Sequence, residues 1–267
     1  MTGAMAMDLR LGGRTAVVTG ASKGIGLAIV RALAAEGAMV VAGSRSSTPE
    51  LDELTRTADV HTVPVDLTTP DGPAALVEAA VERFGGIDVL VNNVGAVRPR
   101  LDGFVALTDD DWEWSLTINF LAAVRTMRAA VPHMTDRPGA SIVTVGSVNA
   151  YLPDPGVVDY SAAKGALTNL CKSLSKELGP GIRVNTISPG PVRTDLWLGS
   201  GGVAATVGGS DGTDPGDVVR KQEEQAATGR FTDPREVADL VLFLASDRAA
   251  NITGSDVRID GGLVTTL

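Results

Sequence analysis

The stretch Thr15-Ala16-Val17-Val18-Thr19-Gly20-Ala21-Ser22-Lys23-Gly24-Ile25-Gly26 decides the fold, because a β-branched run passes through three glycines into an apolar helical pattern. Glycines at such a junction allow a tight turn, a close approach of the backbone to a pyrophosphate, and close packing of the helix on the strand. The start of the helix adds free amides and a partial positive charge. Lys23 precedes the second glycine, so the stretch is not a P-loop. It predicts a strand, turn and helix that bind a dinucleotide.

Short β-branched runs alternate with Ala-rich amphipathic stretches along the rest of the chain, which is typical of a parallel sheet with crossover helices. The predicted strands lie at 15–19, 39–42, 60–65, 89–92, 141–145, 183–187 and 256–259. The predicted helices lie at 25–36, 49–57, 71–84, 111–134, 157–178 and 234–245. No repeat or linker divides the sequence. We therefore expect one α/β domain over 1–267, a doubly wound Rossmann fold with a seven-stranded parallel sheet and helices on both faces.

The composition indicates a globular domain and excludes several functions. The 267 residues are 44% hydrophobic, which is enough for a large buried core. The formal net charge of -9 argues against a nucleic-acid partner, because phosphate binding needs a basic surface. No apolar run reaches the roughly 18 residues of a membrane span, and the N-terminal residues lack the features of a signal peptide. We therefore expect a cytoplasmic protein without a membrane partner.

Cysteine and histidine usage gives no sign of a disulfide or of a metal site. Cys171 is the only cysteine, and it lies in an apolar helical pattern typical of a packed thiol. His61 and His133 are far apart in the sequence and belong to no metal-binding motif. We expect no intrachain disulfide and no metal.

The end of the second predicted strand bears on cofactor choice. Proteins that select NAD usually place a carboxylate there for the ribose diol, whereas this chain has Gly43-Ser44-Arg45-Ser46. The Arg45 guanidinium suits a 2′-phosphate, and Lys23 adds a second positive charge. The pattern favours NADP(H), and NAD(H) is the alternative. If Arg45 does not contact the cofactor, it is a solvated loop residue. Asp66 and Leu67, after the third strand, are placed to meet the adenine, although an aspartate there can also simply form a turn.

Tyr160 and Lys164 lie one helical turn apart, and Ser147 stands thirteen residues before the tyrosine. Residues i and i+4 share a helix face, so the phenol and the ammonium reach the same cleft. A cation beside a phenol favours phenolate, so we expect Lys164 to lower the pKa of Tyr160 toward the range of a general acid or base. Ser147 would hold the reacting oxygen. The spacing alone also occurs on solvated helix faces, so the other motifs decide its meaning.

The ordered motifs resemble the short-chain dehydrogenase/reductase family, and the likeness covers residues 11–263. The family's elements are matched by a TGxxxGxG motif at 19–26, Asn92-Asn93-Val94-Gly95 with valine for the usual alanine, Asn119, Ser147, a YxxxK motif at 160–164, and Pro189-Gly190 with Thr194 four residues on.

The resemblance implies hydride transfer between NADP(H) and a carbonyl or secondary alcohol. It implies that Tyr160 transfers the proton, that Ser147 positions the carbonyl and that Lys164 holds the nicotinamide ribose. Asn119 would hold a water for proton relay. The C-terminal residues resemble members that assemble as homotetramers. The implied dinucleotide contacts are Gly20, Ser22, Lys23, Gly24, Ile25, Gly26, Ser44, Arg45, Ser46, Asp66, Leu67, Asn93, Gly95, Tyr160, Lys164, Pro189, Gly190, Val192 and Thr194.

The segment 195–230, called the cover segment below, is rich in Gly, Ala and Ser before a polar helical pattern. Such a composition suits a mobile cover over a site, or a plain surface insertion. The residues expected to line the substrate pocket are Val148, Tyr151, Leu152, Val157, Leu196 and Trp197, with Asn149 and Asp154 as polar selectors. This lining suits a hydrophobic ketone, a 3-oxoacyl thioester or a cyclic alcohol. A basic rim for an acidic acyl carrier protein would come from Arg98, Arg100, Arg125 and Arg128.

Two other functions remain open from the sequence. A dinucleotide sensor could use the same fold to report redox state, but it has no use for an intact Ser147, Tyr160 and Lys164. An isomerase or dehydratase could use the same tyrosine without net oxidation. Stoichiometric consumption of NADPH separates a reductase from the isomerase or dehydratase.

Overall fold

The computed structural model describes residues 7–266, so the domain and signal-peptide predictions that concern 1–6 and 267 lie outside the described residues. Within that range seven parallel strands form one sheet. They are Thr15–Thr19 (β1), Met39–Ser44 (β2), Val60–Pro64 (β3), Val89–Asn92 (β4), Ala140–Val145 (β5), Ile182–Pro189 (β6) and Asp256–Ile259 (β7).

Helices connect the strands and cover both faces of the sheet. They are Gly24–Ala35 (α1), Pro49–Thr57 (α2), Gly72–Phe84 (α3), Asp109–Leu116 (α4), Ala122–Ala130 (α5), Val158–Glu177 (α6), Asp195–Leu198 (α7), Val203–Asp211 (α8), Pro215–Gln225 (α9) and Pro234–Ala245 (α10). None of the helices between residues 7 and 266 has the length and apolar composition needed to cross a membrane.

The order of the strands places a crevice near the middle of the sheet. The order is β3-β2-β1-β4-β5-β6-β7, so β1 pairs with both β2 and β4. The direction of the chain across the sheet reverses between β1 and β4. In open α/β sheets such a reversal opens a binding crevice beyond the carboxyl ends of the strands. The predicted doubly wound Rossmann fold is confirmed.

Apolar side chains are buried on both faces of the sheet. On one face α1 packs against α10, and Ile29, Leu33 and Val241 are buried there. On the other face α3, α5 and α6 bury Leu76 and Met127 among their neighbours. Strands β1, β4 and β5 are buried along their whole length, which explains why they read as continuous apolar runs.

The helix predicted at 111–134 is interrupted, so that prediction was wrong about its continuity. A π-helical turn, Thr117–Leu121, separates α4 from α5. In this turn the side-chain amide of Asn119 donates to the Ser115 carbonyl oxygen at 3.1 Å. Pro132 has no backbone N–H and ends the helix in a 3-10 turn. The other predicted strands and helices match within about two residues at each end.

Arg100 ties the loop after β4 to two helices. Its backbone N–H donates to the Gly156 carbonyl oxygen at 2.7 Å. Its guanidinium donates to Asp159 at 3.1 and 2.5 Å and to Asp111 at 2.8 Å. The Asp159 side chain, next to Tyr160 in α6, is only 2% exposed. The loop, the start of α4 and the start of α6 are therefore held together by one guanidinium group, whose side chain is 10% exposed.

Replacing Arg100 with alanine should destabilise the protein strongly. Asp159 would remain as a buried carboxylate without its partner, and breaking a buried pair in this way costs about 3–5 kcal/mol of unfolding free energy. Urea unfolding of Arg100→Ala and wild type at equal protein concentration measures the loss. Arg56→Ala is the matched control, because its ion pair with Glu53 is exposed, and it should leave the midpoint unchanged. Equal midpoints for all three proteins would contradict this account.

Candidate active site

Two adjoining pockets lie at the carboxyl edge of the sheet. The first, called the catalytic pocket, has a volume of about 460 Å³ and is lined in part by Ser147, Tyr160 and Lys164. The second, called the turn pocket, has a volume of about 430 Å³ and surrounds the glycine-rich turn. Their shared walls are formed by Ile25, Asn93, Gly95, Ala96, Thr194 and Leu196. The two pockets therefore form one cleft.

Most of the predicted dinucleotide-binding positions line this cleft. The turn pocket is lined by Gly20, Ser22, Lys23, Gly24, Ile25, Gly26, Ser44, Arg45, Asp66, Leu67, Asn93, Gly95 and Thr194. The catalytic pocket is lined by Tyr160, Lys164, Pro189, Gly190 and Val192. Of the predicted positions, all of which the structure describes, only Ser46 lines neither pocket. Its carbonyl oxygen accepts from the Ser44 hydroxyl at 2.9 Å in the exposed stretch before α2, and its contact with a dinucleotide stays a prediction.

Close backbone packing shapes the glycine-rich turn. A Cβ atom on Gly26 would lie 2.1 Å from the Gly20 carbonyl oxygen, so only glycine allows this approach of α1 to the turn. The Asn93 side-chain amide donates to the carbonyl oxygens of Thr19 and Gly20, at 2.9 and 3.1 Å. The Thr19 hydroxyl accepts from the backbone N–H groups of Asn93 and Val94, at 2.8 and 3.1 Å. The end of β4 therefore braces the turn after β1.

The far end of the turn pocket carries both positive and negative groups. Lys23 and Arg45 are exposed and line the pocket with Asp66. The Thr68 backbone N–H and hydroxyl donate to Asp66 at 2.9 and 2.7 Å. These bonds, and to a smaller extent the nearby Arg45, hold the pKa of Asp66 below its ordinary value. Asp66 is therefore a carboxylate that can accept a hydrogen bond from a ligand.

The three catalytic candidates meet in the other half of the cleft. Ser147 follows β5, and Tyr160 and Lys164 lie in the first turns of α6. Lys164 is buried, and its ammonium donates to the Val145 carbonyl oxygen at 3.0 Å. Its Nζ atom lies 5.7 Å from the centre of the Tyr160 ring. The structure therefore places the three side chains in one pocket, as their spacing predicted.

Burial moves the pKa values of Tyr160 and Lys164 toward their neutral forms. The pKa of Tyr160 is raised, because burial disfavours the phenolate, and a hydrogen bond with Ser147 opposes this only partly. Burial also lowers the pKa of Lys164 to about 8. The prediction that Lys164 lowers the pKa of Tyr160 was therefore wrong for the chain alone. The cause is desolvation of the phenol, while the Lys164 ammonium is directed at the Val145 carbonyl oxygen.

Asn119 braces the loop that forms one wall of the cleft. Its side-chain oxygen accepts from the Ala96 backbone N–H at 3.0 Å, and its amide donates to the Ala96 carbonyl oxygen at 2.8 Å. A Cβ atom on Gly95 would lie 3.0 Å from the Asn119 oxygen and 3.5 Å from Lys164 Nζ. Asn119 therefore lies close to Lys164, and its water-holding role stays a prediction.

The wall away from the glycine-rich turn is mainly apolar, with a few polar side chains. The predicted lining residues found there are Val148, Asn149, Leu152, Asp154, Val157, Leu196 and Trp197. Tyr151 was predicted wrongly, because its ring lies beside Arg258 outside the pocket lining, with the guanidinium carbon 5.9 Å from the ring centre. Val203, Gln222 and Gln225 from the cover segment also line the pocket, and the sequence analysis missed Leu263. The two glutamines are three apart on α9, a helical spacing that indicates a shared face.

Three of the four arginines of the predicted basic rim have contacts within the chain. Arg100 is held by Asp159 and Asp111, so it is not available to a partner. The guanidinium of Arg98 lies 3.7 Å above the Trp114 ring. Arg125 donates to the Thr68 carbonyl oxygen at 2.9 Å. These arginines have separate structural contacts within the chain.

Replacing Lys164 with methionine should remove a pH-dependent cost of folding. The lysine pKa is 10.5 in the unfolded chain and about 8 in the native protein. The unfolded state therefore binds more protons between these values, and wild-type unfolding free energy rises with pH there. The stability gained by Lys164→Met should be largest below pH 8 and smaller by about 3 kcal/mol at pH 10.5.

Urea unfolding without cofactor, across this pH range, measures the difference between Lys164→Met and wild type. Lys176→Met is the control, because Lys176 is exposed on the same helix. Its difference from wild type should not change over the range. Parallel pH curves for wild type and Lys164→Met would show that Lys164 keeps an ordinary pKa.

The comparisons with known proteins cover nearly the whole chain. The family model described as enoyl-(acyl carrier protein) reductase matches residues 20–264. The 3-oxoacyl-[acyl-carrier-protein] reductase FabG of Thermotoga maritima is 35% identical over 266 residues, covering 96% of this chain and 100% of the relative. The 3-alpha-(or 20-beta)-hydroxysteroid dehydrogenase of Mycobacterium bovis is 36% identical over 270 residues, covering 98% of this chain and 93% of the relative.

A solved structure agrees with these relatives. The crystal structure of L-sorbose reductase from Gluconobacter frateurii, complexed with NADPH and L-sorbose, superposes with a TM-score of 0.89 at 36% identity. The match covers 98% of this chain and 100% of that chain. Together with the ordered motifs in the cleft, these matches show that the chain belongs to the short-chain dehydrogenase/reductase family of oxidoreductases.

Proposed function

We propose that the protein is an NADP(H)-dependent carbonyl reductase, with Tyr160 as general acid and base. The observation that carries the proposal is the cleft, in which Ser147, Tyr160 and Lys164 line a pocket that adjoins the glycine-rich turn. Reduction of a ketone needs one acid, an oriented carbonyl and a fixed nicotinamide. The cleft offers residues for each requirement.

The residues of the turn pocket fit a phosphorylated dinucleotide. No side chain caps the start of α1, so its first amides are available to a pyrophosphate. Lys23 and Arg45 offer positive charge to a 2′-phosphate, and the end of β2 carries no carboxylate that would repel one. The NADPH bound to L-sorbose reductase supports the same preference. The nicotinamide, when bound, supplies the hydride.

The chain's own residues handle the proton and the orientation of the substrate. The carbonyl oxygen accepts the Tyr160 proton as the carbonyl carbon accepts the hydride, so a ketone becomes a secondary alcohol. The raised pKa keeps the phenol protonated near neutral pH, which suits a proton donor. An ammonium at Lys164 stabilises the phenolate that remains. Ser147 orients the carbonyl oxygen from the end of β5.

The catalytic pocket favours a free ketone over a carrier-bound thioester. FabG of Thermotoga maritima is named for the thioester reaction, so 3-oxoacyl thioester reduction is the narrower variant of this proposal. A carrier protein would need a basic rim, but Arg100 is occupied by Asp159 and Asp111. The homotetramer, the cytoplasmic location and one domain over 1–267 stay predictions.

The cover segment supplies one wall of the pocket, and we propose that it covers bound substrate. Trp197 and Gln225 from this segment line the pocket. The Trp197 ring packs edge-on against Phe231, with centroids 5.2 Å apart, and Arg193 pairs with Glu223 at 2.9 Å. The segment is therefore helical and anchored at both ends beside the site.

Replacing Tyr160 with phenylalanine should abolish most turnover but not cofactor binding. General acid catalysis contributes roughly 10²–10⁴-fold, so kcat should fall by a factor in that range. NADPH consumption with a panel of ketones measures turnover, and fluorescence titration measures the NADPH Kd, which should change by about twofold at most. An isomerase or dehydratase would leave NADPH unconsumed, and a sensor would bind NADPH without turnover.

The chain offers a matched control, because Tyr151 is its only other tyrosine and lies outside the pocket lining. Tyr151→Phe should turn over at the wild-type rate. Equal rates for Tyr160→Phe and Tyr151→Phe would overturn the role of Tyr160.

Replacing Arg45 with aspartate should shift cofactor preference toward NAD(H). The change removes a charged hydrogen-bond donor, worth roughly 1.5–3 kcal/mol, and adds a repelling charge near the 2′-phosphate. The ratio of NADH to NADPH Kd values should therefore fall by about 10-fold or more. Arg31→Asp makes the same charge change at an exposed position of α1 outside both pockets, and it should leave the ratio unchanged. If both variants shift equally, Arg45 acts only through net charge.

A further inference from the structure

The hydroxyl group of Ser147 is already engaged within the chain. Its proton is donated to the Asn149 side-chain oxygen at 3.1 Å, and its oxygen accepts from the Asn149 backbone N–H at 3.2 Å. Asn149 lines the catalytic pocket beside Ser147. The Asn149 side-chain amide points at the Ser161 hydroxyl oxygen, 3.5 Å away. That oxygen also accepts from the Asp154 backbone N–H at 3.4 Å, which fixes Ser161. The Asn149 side chain is therefore held between Ser147 and Ser161.

This arrangement creates a conflict when a ketone binds. A serine hydroxyl has one proton to donate. If Ser147 gives it to the carbonyl oxygen of a substrate, the half-buried Asn149 oxygen loses its donor. When the bound substrate also shields this oxygen from water without offering it a partner, binding weakens by about 5- to 150-fold. A substrate that brings its own donor to Asn149 avoids this loss.

We propose that the substrate is an α-hydroxy ketone whose hydroxyl donates to the Asn149 side-chain oxygen while Ser147 donates to the carbonyl oxygen. The inference rests on the proposed reductase function. The two protein oxygens are 3.1 Å apart, so they can meet oxygens on neighbouring carbon atoms of one substrate. Asn149 is thus a specificity-determining residue, and it leaves the chemistry to Tyr160.

The rest of the catalytic pocket fits a neutral, partly polar molecule. Among the described residues that line it, the charged side chains are Lys164 and Asp154. Lys164 is directed at a backbone carbonyl oxygen, and Asp154 would repel an anion. Gln222 and Gln225 bond to each other at 3.3 Å on the cover segment, so their amides offer further donors and acceptors to hydroxyl groups.

Three ketones of equal size test the proposal. They are 1-hydroxybutan-2-one, pentan-3-one, which replaces its hydroxyl with a methyl group, and 4-hydroxybutan-2-one, which moves the hydroxyl one carbon further from the carbonyl. NADPH consumption gives kcat/KM for each. We expect the α-hydroxy ketone to exceed pentan-3-one by about 5- to 150-fold in the wild type, with 4-hydroxybutan-2-one close to pentan-3-one.

Asn149→Ala should bring the three kcat/KM values together, because the acceptor is gone and pentan-3-one no longer leaves a group unpaired. Asn149→Leu, which retains most of the side-chain volume, should do the same and serves if the alanine variant does not fold. NADPH binding reports an intact fold in each variant. Asn169→Ala, an asparagine exposed on α6, should keep the wild-type preference.

The outcomes separate this inference from the proposed function. Turnover of all three ketones at similar kcat/KM by the wild type overturns the inference and leaves the reductase intact. A preference for the α-hydroxy ketone that survives in both Asn149 variants also overturns it. NADPH binding without consumption on any of the three ketones counts against the reductase, and the inference falls with it.

Discussion

The parallel pairing of β1 with both β2 and β4 is the constraint on which the rest of the structure depends. Because all strands run in one direction, the segments that follow β1, β4 and β5 leave the sheet at one edge. The glycine-rich turn, the loop braced by Asn119 and the segment with Ser147 therefore converge from distant parts of the chain. Asn93 joins two of these segments by bonding to the turn after β1. The strand register thus sets the distance between the two pockets.

Burial at this edge then sets the charge of the site. The pKa of Tyr160 rises and that of Lys164 falls for one reason, since a low dielectric disfavours an anion and a cation alike. The chain alone therefore avoids holding a phenolate and an ammonium together in this pocket. Ribose hydroxyl groups that accept from Lys164 would offset its desolvation and favour the charged form. The ability of Lys164 to assist Tyr160 thus depends on what fills the cleft.

The fold and most of the cleft were predictable because they depend on local patterns, such as an apolar run before glycines or a spacing of four on a helix. Properties that depend on distant contacts were not. Arg100 was predicted as part of a basic rim, and only the fold brings it to Asp159, 59 positions away along the chain. The pKa direction of Tyr160 depends on how deeply α6 is buried, which no spacing reveals. The π-helical turn at Asn119 likewise makes its side-chain hydrogen bonds to Ala96, 23 positions away along the chain.

On the proposed function, a substrate that binds in this cleft replaces hydrogen bonds within the protein with hydrogen bonds to itself, and the total number changes little. The polar groups of the far wall are paired with each other, Ser147 with Asn149 and Gln222 with Gln225. A ligand that opens the Ser147–Asn149 pair and shields it from water must satisfy both members, because a shielded polar group without a partner costs more than an ordinary hydrogen bond contributes. Net affinity for the right substrate is then modest, while discrimination against a wrong one is large. On the proposed function, Ser147, Tyr160 and Lys164 would therefore serve different substrates when only the paired polar groups of this wall change.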